Sequence, residues 1–436
     1  MLADRYIRTD LTSQEDFEKN FTLTVPPRFH FAYDIVDEYA RISPEKRALI
    51  WCDVKGNERS FTFGDISRMS NQAANVFRAH GLAKGDPVVL MLKRRWQYWV
   101  AAVGLLKVGC VLIPATAQLQ KKDIVYRVQA SSARAVICVE EPEVRANVLT
   151  AAKECDTLEA LFTLGRAEGF LDFDEALSAA SDVWEKPQEL PNNDDIMLMY
   201  FTSGTTGMPK MAAHSWTYPL AQTVTAYYWH NLGDGDIHIA VADTGWAKAG
   251  WGKLYGQWIC GATLFVYDFD RFIAPDLLRM LAKYRVTSFC APPTVYRFMI
   301  KEDLSRYDLS ALRWANCAGE ALNPEVYEQF YRQTGVKIHE GFGQSETTPL
   351  LMTSKWMEPK TGSRARPSPA YDIALVDEQG HDVEDGVEGE IVVRLDKGHP
   401  AGLFLGYYRN QEQTDAVFYD GMYHTGDMAW RDVDGY

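Results

Sequence analysis

Short apolar runs alternate with amphipathic segments along the chain up to about residue 358. Continuous apolar runs at 88–92, 111–113 and 135–139 are typical of strands buried on both faces of a sheet. Between them, apolar positions recur at helical spacing, and Thr62 with Asp65 forms a capping-box pattern that predicts a helix start. Strands that alternate with helices favour parallel sheets covered by helices. The pattern therefore predicts an α/β fold.

The pattern changes at about residue 359, where Gly, Pro and Asp turns separate short β segments such as 372–376 and 389–395. We expect a small β-barrel-like subdomain there. It would accompany two stacked βα sandwich subdomains whose sheets are mostly parallel. The predicted division is a first α/β subdomain at 1–185, a second at 186–358 and the β-rich subdomain at 359–436.

The composition indicates a globular protein with a large core, because 47% of the 436 residues are apolar. A net charge of −14 argues against a nucleic-acid partner. No apolar run approaches the roughly 20 residues of a membrane span, and the first residues lack the apolar core of a signal peptide. We therefore expect a cytoplasmic protein, either a monomer or a homo-oligomer. The seven scattered cysteines form no CxxC pair, so neither a zinc site nor a disulfide frame is predicted.

The stretch from residue 197 to residue 210 has the features of a phosphate-binding loop. An apolar run at 197–201 predicts a buried strand, and the Thr, Ser and Gly residues after it offer hydroxyl and backbone N–H donors to an anion. Lys210 adds a cation, although the spacing is not that of a Walker loop. The alternative is a Gly- and Thr-rich surface turn. The predicted phosphate-binding residues are Thr202, Ser203, Gly204, Thr205, Thr206, Gly207, Met208, Pro209 and Lys210.

This segment resembles the phosphate-binding signature of the adenylate-forming superfamily, which includes acyl-CoA and aryl-CoA synthetases, luciferases and peptide-synthetase adenylation domains. Four further stretches follow in that family's order, so the resemblance covers nearly the whole chain. It implies that a carboxylate attacks the α-phosphorus of ATP and releases pyrophosphate. The acyl-adenylate then passes to a thiol, usually coenzyme A. The chain is most similar to the medium-chain acyl-CoA synthetases.

The resemblance also implies a nucleotide site. Gly319-Glu320-Ala321 resembles the family's adenine-side element, and Asp427 matches its ribose ligand. Phe342 can stack on adenine, and Glu346 offers the hard oxygen ligand that Mg²⁺ prefers. The alternatives are an ion pair for Glu346 and a simple turn for Asp427. The implied nucleotide ligands outside the phosphate loop are Gly319, Glu320, Ala321, Glu340, Gly341, Phe342, Gly343, Gln344, Ser345 and Asp427, and the implied catalytic residues are Lys210, Ser345 and Glu346.

The resemblance implies that Trp246, Gly343 and Ser345 border the acyl substrate. Peptide-synthetase domains place an aspartate just after the aromatic residue, to hold the substrate's ammonium group. This chain has Trp246-Ala-Lys248 instead, which favours a plain carboxylic acid. Acetyl-CoA synthetases carry tryptophan at the position of Gly343, so the glycine predicts an open pocket for a medium-chain, branched or aromatic acid rather than acetate. The alternative role for Trp246 is packing in the core.

Gln118 lies in a loop just beyond a predicted strand. In acyl-CoA synthetases similar to this chain, a glutamine in this setting contacts coenzyme A, which implies the same contact here. The alternative is a solvated loop amide.

Two features depart from the family pattern. In Gly362-Ser-Arg-Ala-Arg-Pro367, Ala365 stands where the family has glycine, and Arg364 and Arg366 have no role that the resemblance assigns. The family's mobile C-terminal domain, which brings a lysine to the α-phosphate, is expected to be absent from a chain that ends at Tyr436. We therefore expect weak or no activity from this chain alone.

The resemblance leaves more than one function open. The preferred interpretation is an ATP-dependent acyl-CoA synthetase that uses Mg²⁺ and coenzyme A. The alternatives are an adenylating enzyme that loads a carrier protein, a luciferase-like monooxygenase, and a non-catalytic nucleotide- or acyl-binding protein. The complete phosphate loop, Glu346 and Asp427 argue against the last alternative, because a sensor does not need a full catalytic set.

Overall fold

A computed structural model describes residues 1–202 and 207–436. Over these residues, 21 strands form three sheets. The strands are β1 Arg47–Asp53, β2 Glu58–Thr62, β3 Pro87–Met91, β4 Val111–Pro114, β5 Ala135–Cys138, β6 Ala160–Thr163, β7 Leu171–Asp172, β8 Ile196–Thr202, β9 Lys210–Ser215, β10 Ile237–Ala240, β11 Thr263–Asp268, β12 Ser288–Ala291, β13 Trp314–Ala318, β14 Ile338–Phe342, β15 Leu351–Met352, β16 Arg366–Pro367, β17 Asp372–Val376, β18 Gly389–Arg394, β19 Gly406–Tyr407, β20 Phe418–Tyr419 and β21 Met422–Ala429.

Helices cover and connect these sheets. The α-helices of the described residues are α1 Gln14–Asn20, α2 Glu38–Ile42, α3 Phe63–Ala79, α4 Gln97–Val108, α5 Lys121–Ser131, α6 Pro142–Ala152, α7 Phe173–Ala179, α8 Tyr218–Val224, α9 Ala247–Gly252, α10 Tyr255–Ile259, α11 Ala274–Lys283, α12 Pro293–Met299, α13 Pro324–Thr334 and α14 Gln411–Asp415. Short 3-10 helices lie at Leu2–Arg5 and Leu304–Arg306, and π-helical turns lie at Ala32–Asp37 and Thr225–Trp229. None of these helices is long and apolar enough to cross a membrane.

The two large sheets are mostly parallel, as the sequence predicts. One sheet has eight strands in the order β19-β9-β8-β4-β3-β5-β6-β7, and only its β9 and β19 ladders are antiparallel. The other has nine strands in the order β16-β15-β14-β13-β12-β10-β11-β1-β2, with antiparallel pairs at both edges. The predicted β-rich region forms an open four-stranded antiparallel sheet in the order β17-β18-β21-β20.

The sheets cross the predicted domain boundaries. The predicted first subdomain contains β1 and β2, but both strands pair into the nine-stranded sheet, where β1 lies parallel to β11. Conversely, β8 and β9 follow the predicted boundary at 186 and yet complete the eight-stranded sheet beside β4. Pairing between strands far apart in sequence leaves no local signal, so consecutive ranges cannot describe the two sheets.

Local signals place individual elements well. The predicted capping box at the start of α3 is present: the Asp65 N–H donates to Thr62 Oγ1 at 3.1 Å, and the Thr62 N–H donates to Asp65 Oδ2 at 3.0 Å. The predicted strand at 372–376 coincides with β17. Helices α3, α4, α8 and α10 bury their apolar side chains in one cluster with strands of both large sheets, which fixes the two sheets to each other.

Helices α8 and α10 approach closely because Gly256 has no side chain. A Cβ at Gly256 would lie 1.9 Å from the Gln222 carbonyl oxygen and 2.9 Å from the Ala226 Cβ. Gly256→Ala should therefore push the two helices apart and lower the free energy of unfolding by about 1–3 kcal/mol. Gly233→Ala is the matched control, because its added Cβ meets only atoms at 3.9 Å. Denaturant unfolding measures both, and equal midpoints for the two variants would contradict the packing argument.

Candidate functional site

Glu346 follows the nine-stranded sheet and is bound by a residue of the eight-stranded sheet. The Tyr407 hydroxyl donates to Glu346 Oε1 at 2.9 Å. Lys210 Nζ also contacts this tyrosine and lies 4.7 Å from the centre of the phenol ring. Burial raises the pKa of the Glu346 carboxyl, while the Tyr407 hydrogen bond and the positive charge of Lys210 act in the opposite direction. The two predicted catalytic residues Lys210 and Glu346 thus flank one tyrosine.

Gln344 joins the same segment to the four-stranded sheet. The Tyr423 hydroxyl donates to Gln344 Oε1 at 2.6 Å. The Gln344 Nε2 group donates to the Thr425 carbonyl oxygen at 2.8 Å and to Asp427 Oδ2 at 2.6 Å. Asp427, which the sequence predicts as the ribose ligand, therefore lies beside the predicted 340–346 motif. Two motifs about 80 residues apart in sequence are connected by direct hydrogen bonds.

Ser345, between these two residues, is held through its backbone. The His214 Nε2–H group donates to the Ser345 carbonyl oxygen at 2.7 Å. Burial lowers the pKa of His214 to about 4, so the imidazole is neutral near pH 7. His214 belongs to β9, directly after the phosphate loop, and it positions the Ser345 backbone as part of the structural frame.

The phosphate loop connects two antiparallel strands. Thr202 at the end of β8 is paired with Lys210 at the start of β9. The predicted ligands Ser203, Gly204, Thr205 and Thr206 lie outside the described residues. Beyond them, Gly207 has a left-handed φ of +123°, Met208 is exposed, and the Pro209 carbonyl oxygen accepts a hydrogen bond from Tyr126 at 2.7 Å. Lys210 thus lies at the start of β9, next to Tyr407 of the edge strand β19.

The predicted adenine-side element follows β13. Gly319 has a left-handed φ of +102°, which glycine adopts without strain. Glu320 and Ala321 are exposed. Lys248 Nζ donates to the Ala318 carbonyl oxygen at 2.5 Å, so the segment before the turn is tied to α9.

The neighbouring strand β14 carries three more predicted nucleotide ligands. Glu340 is buried, and desolvation raises its pKa to about 7. Gly341 faces the protein interior, since a Cβ there would lie 2.7 Å from the Trp229 ring. Phe342 at the strand end is partly buried. The absence of a side chain at Gly341 therefore lets Trp229 pack against the strand. Glu340 and Phe342 lie near the end of the strand, just before Gln344.

The space beside Gly343 is filled. A Cβ at Gly343 would lie 2.8 Å from the Trp251 ring and 2.7 Å from the Thr348 carbonyl oxygen. Trp251 is held there because its Nε1–H donates to the Thr347 carbonyl oxygen at 3.2 Å. The ring of Trp251 from α9 therefore limits the space directly beside Gly343, and an acyl pocket open to acids larger than acetate stays a prediction. Trp246, the predicted pocket residue of the same segment, is 62% exposed.

Gln118, the predicted coenzyme A contact, is an exposed residue of the loop after β4. This loop adjoins the segment of Trp246: a Cβ at Gly245 would lie 2.2 Å from the Thr116 backbone nitrogen. The two loops therefore share one part of the surface.

Several residues that contact the predicted site residues are not among the predicted ones. Tyr407 and Tyr423 hold Glu346 and Gln344, and Trp251 fills the space at Gly343. Tyr423 and Trp251 lie in the same motif stretches as the predicted residues Asp427 and Trp246, whereas Tyr407 lies in no motif. Their functional placement depends on contacts across 61 to 96 residues of sequence.

The sequence profile described as "AMP-binding enzyme" matches residues 36–408. The chain belongs to the AMP-binding enzyme family. The predicted relationship is thereby confirmed, and ATP and coenzyme A are substrates of the acyl-CoA synthetases in this family. The family match extends from the segment before β1 through Tyr408, so it includes the phosphate loop and the 340–346 motif.

Individual relatives agree with this assignment. The mitochondrial acyl-coenzyme A synthetase ACSM3 of Homo sapiens is 36% identical over 437 aligned positions, which cover 98% of this chain and 74% of that protein. The acyl-CoA synthetase of Brucella canis has a similar structure, with a TM-score of 0.87, 26% identity, and coverage of 98% and 79% of the two chains. The anthranilate CoA ligase AuaEII, crystallised with anthranoyl-AMP, gives a TM-score of 0.86 at 25% identity and covers 94% and 77%.

The relatives correct one expectation. The acyl-coenzyme A synthetases ACSM3 of Homo sapiens and Mus musculus and ACSM4 of Rattus norvegicus are all named as mitochondrial. The prediction of a cytoplasmic protein is therefore wrong. It relied on composition and on the first residues of the chain, which do not identify a compartment.

The Tyr423 hydrogen bond should stabilise the contact between the four-stranded sheet and the Gln344 segment. Tyr423→Phe leaves the Gln344 amide oxygen without this donor, which should cost about 1–3 kcal/mol of unfolding free energy. Hydrogen exchange should also become faster in β21. Tyr419→Phe is the matched control, because Tyr419 lies on β20 of the same sheet and its side chain is 46% exposed. Equal exchange rates in the two variants would show that the hydrogen bond does not hold this contact.

Proposed function

We propose that this chain carries the adenylation site of an ATP-dependent acyl-CoA synthetase. The observation that supports this most strongly is the convergence at residues 344–346 of three separately predicted motifs. Lys210 comes from the eight-stranded sheet, Gln344 and Glu346 follow the nine-stranded sheet, and Asp427 lies on the four-stranded sheet. Triphosphate, metal and ribose ligands would thus surround one cleft.

The proposed chemistry relies on placement and on electrostatic stabilisation. The substrate carboxylate attacks the α-phosphorus of ATP, the bond to the bridging oxygen breaks, and pyrophosphate leaves. Lys210 would stabilise negative charge on the phosphates, since its ammonium group lies at the end of the phosphate loop. Asp427 would accept hydrogen bonds from the ribose hydroxyls. The acyl-adenylate is a mixed anhydride, so a thiolate of coenzyme A can attack it and release AMP.

Glu346 fits the requirement for a magnesium ligand. Mg²⁺ is commonly held by one or two carboxylates together with substrate phosphates. Glu346 is a buried carboxylate whose hydrogen-bonding partner is a neutral phenol, so its negative charge is not neutralised by that contact. When bound there with ATP, Mg²⁺ would offset charge on the leaving pyrophosphate.

We propose that the substrate is a carboxylic acid that is larger than acetate and carries no other charged group. The segment after Trp246 offers Lys248, whose ammonium group is bound to the Ala318 carbonyl oxygen, and a second ammonium group on the substrate would be repelled by it. Trp251 at Gly343 would form the apolar wall of the pocket. A medium-chain or branched acid suits such a wall. An aromatic acid is the second candidate, because the similar anthranilate CoA ligase binds an aromatic adenylate.

The experiment that tests this function is ATP–pyrophosphate exchange by the chain joined to the C-terminal region of a full-length relative. The acids are straight acids of two to twelve carbons, branched acids and benzoates, and thioester analysis follows after addition of coenzyme A. We expect exchange with butyrate to octanoate, or with a branched or aromatic acid, at a higher kcat/KM than with acetate. Exchange without thioester, but with loading of a carrier protein, would instead identify a carrier-loading enzyme. A clear preference for acetate would contradict the proposed acid class.

Tyr407→Phe should move the acidic limb of the exchange activity to higher pH. The Tyr407 hydrogen bond lowers the pKa of Glu346, so its loss raises that pKa, and the metal-binding carboxylate is protonated at a higher pH. The phenyl ring beside Lys210 is retained. Tyr408→Phe is the matched control, since Tyr408 packs on Arg409 and not on Glu346. Superimposable pH profiles of the two variants would exclude this role of Tyr407.

Trp251→Phe should shift the chain-length preference toward longer acids. The smaller ring frees space beside Gly343, and each additional buried methylene is worth about 0.8 kcal/mol, roughly fourfold in kcat/KM. Trp246→Phe makes the equivalent change in the same segment at an exposed position. A shift of the chain-length preference in the Trp246 variant and not in the Trp251 variant would contradict this role of Trp251. The acyl pocket would then be lined by Trp246.

A further inference from the structure

Arg364 connects the predicted adenine-side element to strand β14. Its Nη1 group donates to the Glu320 carbonyl oxygen at 2.7 Å and to Glu340 Oε2 at 3.3 Å. Neither the resemblance to adenylate-forming enzymes nor the comparisons give this arginine a role. Its side chain is 40% exposed, whereas the Glu340 side chain that it contacts is 10% exposed. The guanidinium therefore covers a nearly buried carboxylate at the edge of the site.

Glu340 binds the same element from the other side. The Leu322 N–H group donates to Glu340 Oε2 at 3.3 Å. Arg364 thus binds the Glu320 carbonyl directly. The Glu340 carboxylate, which Arg364 contacts, binds the Leu322 amide. Charge-assisted hydrogen bonds of this kind are stronger than neutral ones. Together they restrict the backbone of residues 320–322.

The backbone next to Arg364 is strained, and contacts on both sides maintain it. Ala365 has a φ of +109°, a conformation that L residues rarely adopt, and it is buried. Arg364 is anchored on one side of it, and on the other side Arg366 Nη1 donates to Glu18 at 3.2 Å and Arg366 Nη2 donates to the Asp434 carbonyl oxygen. Such conformations persist where the surrounding structure over-determines them.

We propose that Arg364 is a positioning residue of the nucleotide site, which sets residues 320–322 in place for the adenine base through Glu340 and the Glu320 carbonyl. This inference rests on the proposed function, because the adenine contact of residues 319–321 is part of that proposal. Arg364 acts through these groups and does not itself contact the reacting atoms. Its removal should therefore weaken nucleotide binding more than it slows the chemical step.

The test is calorimetric binding of a non-hydrolysable ATP analogue to the 436-residue chain and its variants, together with ATP–pyrophosphate exchange by the same chains joined to the C-terminal region of a full-length relative. Arg364→Met should raise the Kd for the analogue and the KM for ATP about tenfold, because coupled residues of one hydrogen-bond network commonly interact with this strength. The kcat and the KM for the acid should stay close to their starting values. Arg364→Lys keeps the charge and one contact, so it should recover part of the affinity.

Arg366→Met is the matched control, since it removes the neighbouring arginine, whose contacts are to Glu18 and to Asp434. It is expected to change the melting temperature and to leave the Kd for the analogue unchanged. In a double variant that combines Arg364→Met with Glu340→Gln, the loss of affinity should be smaller than the sum of the two single losses, because both changes remove the contact between Arg364 and Glu340.

The outcomes separate the inference from the proposed function. If the starting chain does not bind the analogue, the proposed function fails and the inference fails with it. If the starting chain binds and Arg364→Met binds equally well, only the positioning role is refuted. The same conclusion follows if Arg366→Met loses as much affinity, or if the effects of Arg364→Met and Glu340→Gln simply add. If Arg364→Met does not fold, the Kd values of Arg364→Lys and Arg366→Lys for the analogue are compared instead.

Discussion

The hydrogen bonds to residues 344–346 are the constraint on which the site depends. This short segment leaves the nine-stranded sheet and is bound by Tyr407 and His214 of the eight-stranded sheet and by Tyr423 of the four-stranded sheet. Each sheet has its own hydrogen-bonded ladder, and no single ladder contains the whole site. Side-chain hydrogen bonds between the sheets therefore determine whether Lys210, Glu346 and Asp427 face one another.

These contacts are polar and largely shielded from water, which makes their loss costly. The donors to Gln344 and Glu346 are neutral phenols, and the donor to Ser345 is an imidazole that burial keeps neutral. Neutral donors hold the segment without cancelling the negative charges of Glu346 and Asp427. In the proposed site, those charges would bind a metal ion and hydroxyl donors, and Lys210 would supply the opposite charge nearby.

Local sequence patterns predicted individual elements, and motif resemblance named the candidate site residues, whose roles stay predictions. The capping box at Thr62 and the strand at 372–376 were predictable because both signals lie within a few residues. No local signal predicts the pairing of β1 with β11 or the hydrogen bond from Tyr407 to Glu346, because each joins residues far apart in sequence. Gly343 shows the same limit: its missing side chain was evident, but the Trp251 ring that fills the space comes from another helix.

A crystal structure of the chain soaked with ATP and Mg²⁺ tests most directly whether the three sheets form one nucleotide site. We expect the triphosphate beside Lys210, the metal ion on Glu346, the ribose at Asp427 and the base against residues 319–321. A nucleotide bound on a single sheet, away from residues 344–346, would contradict the shared site.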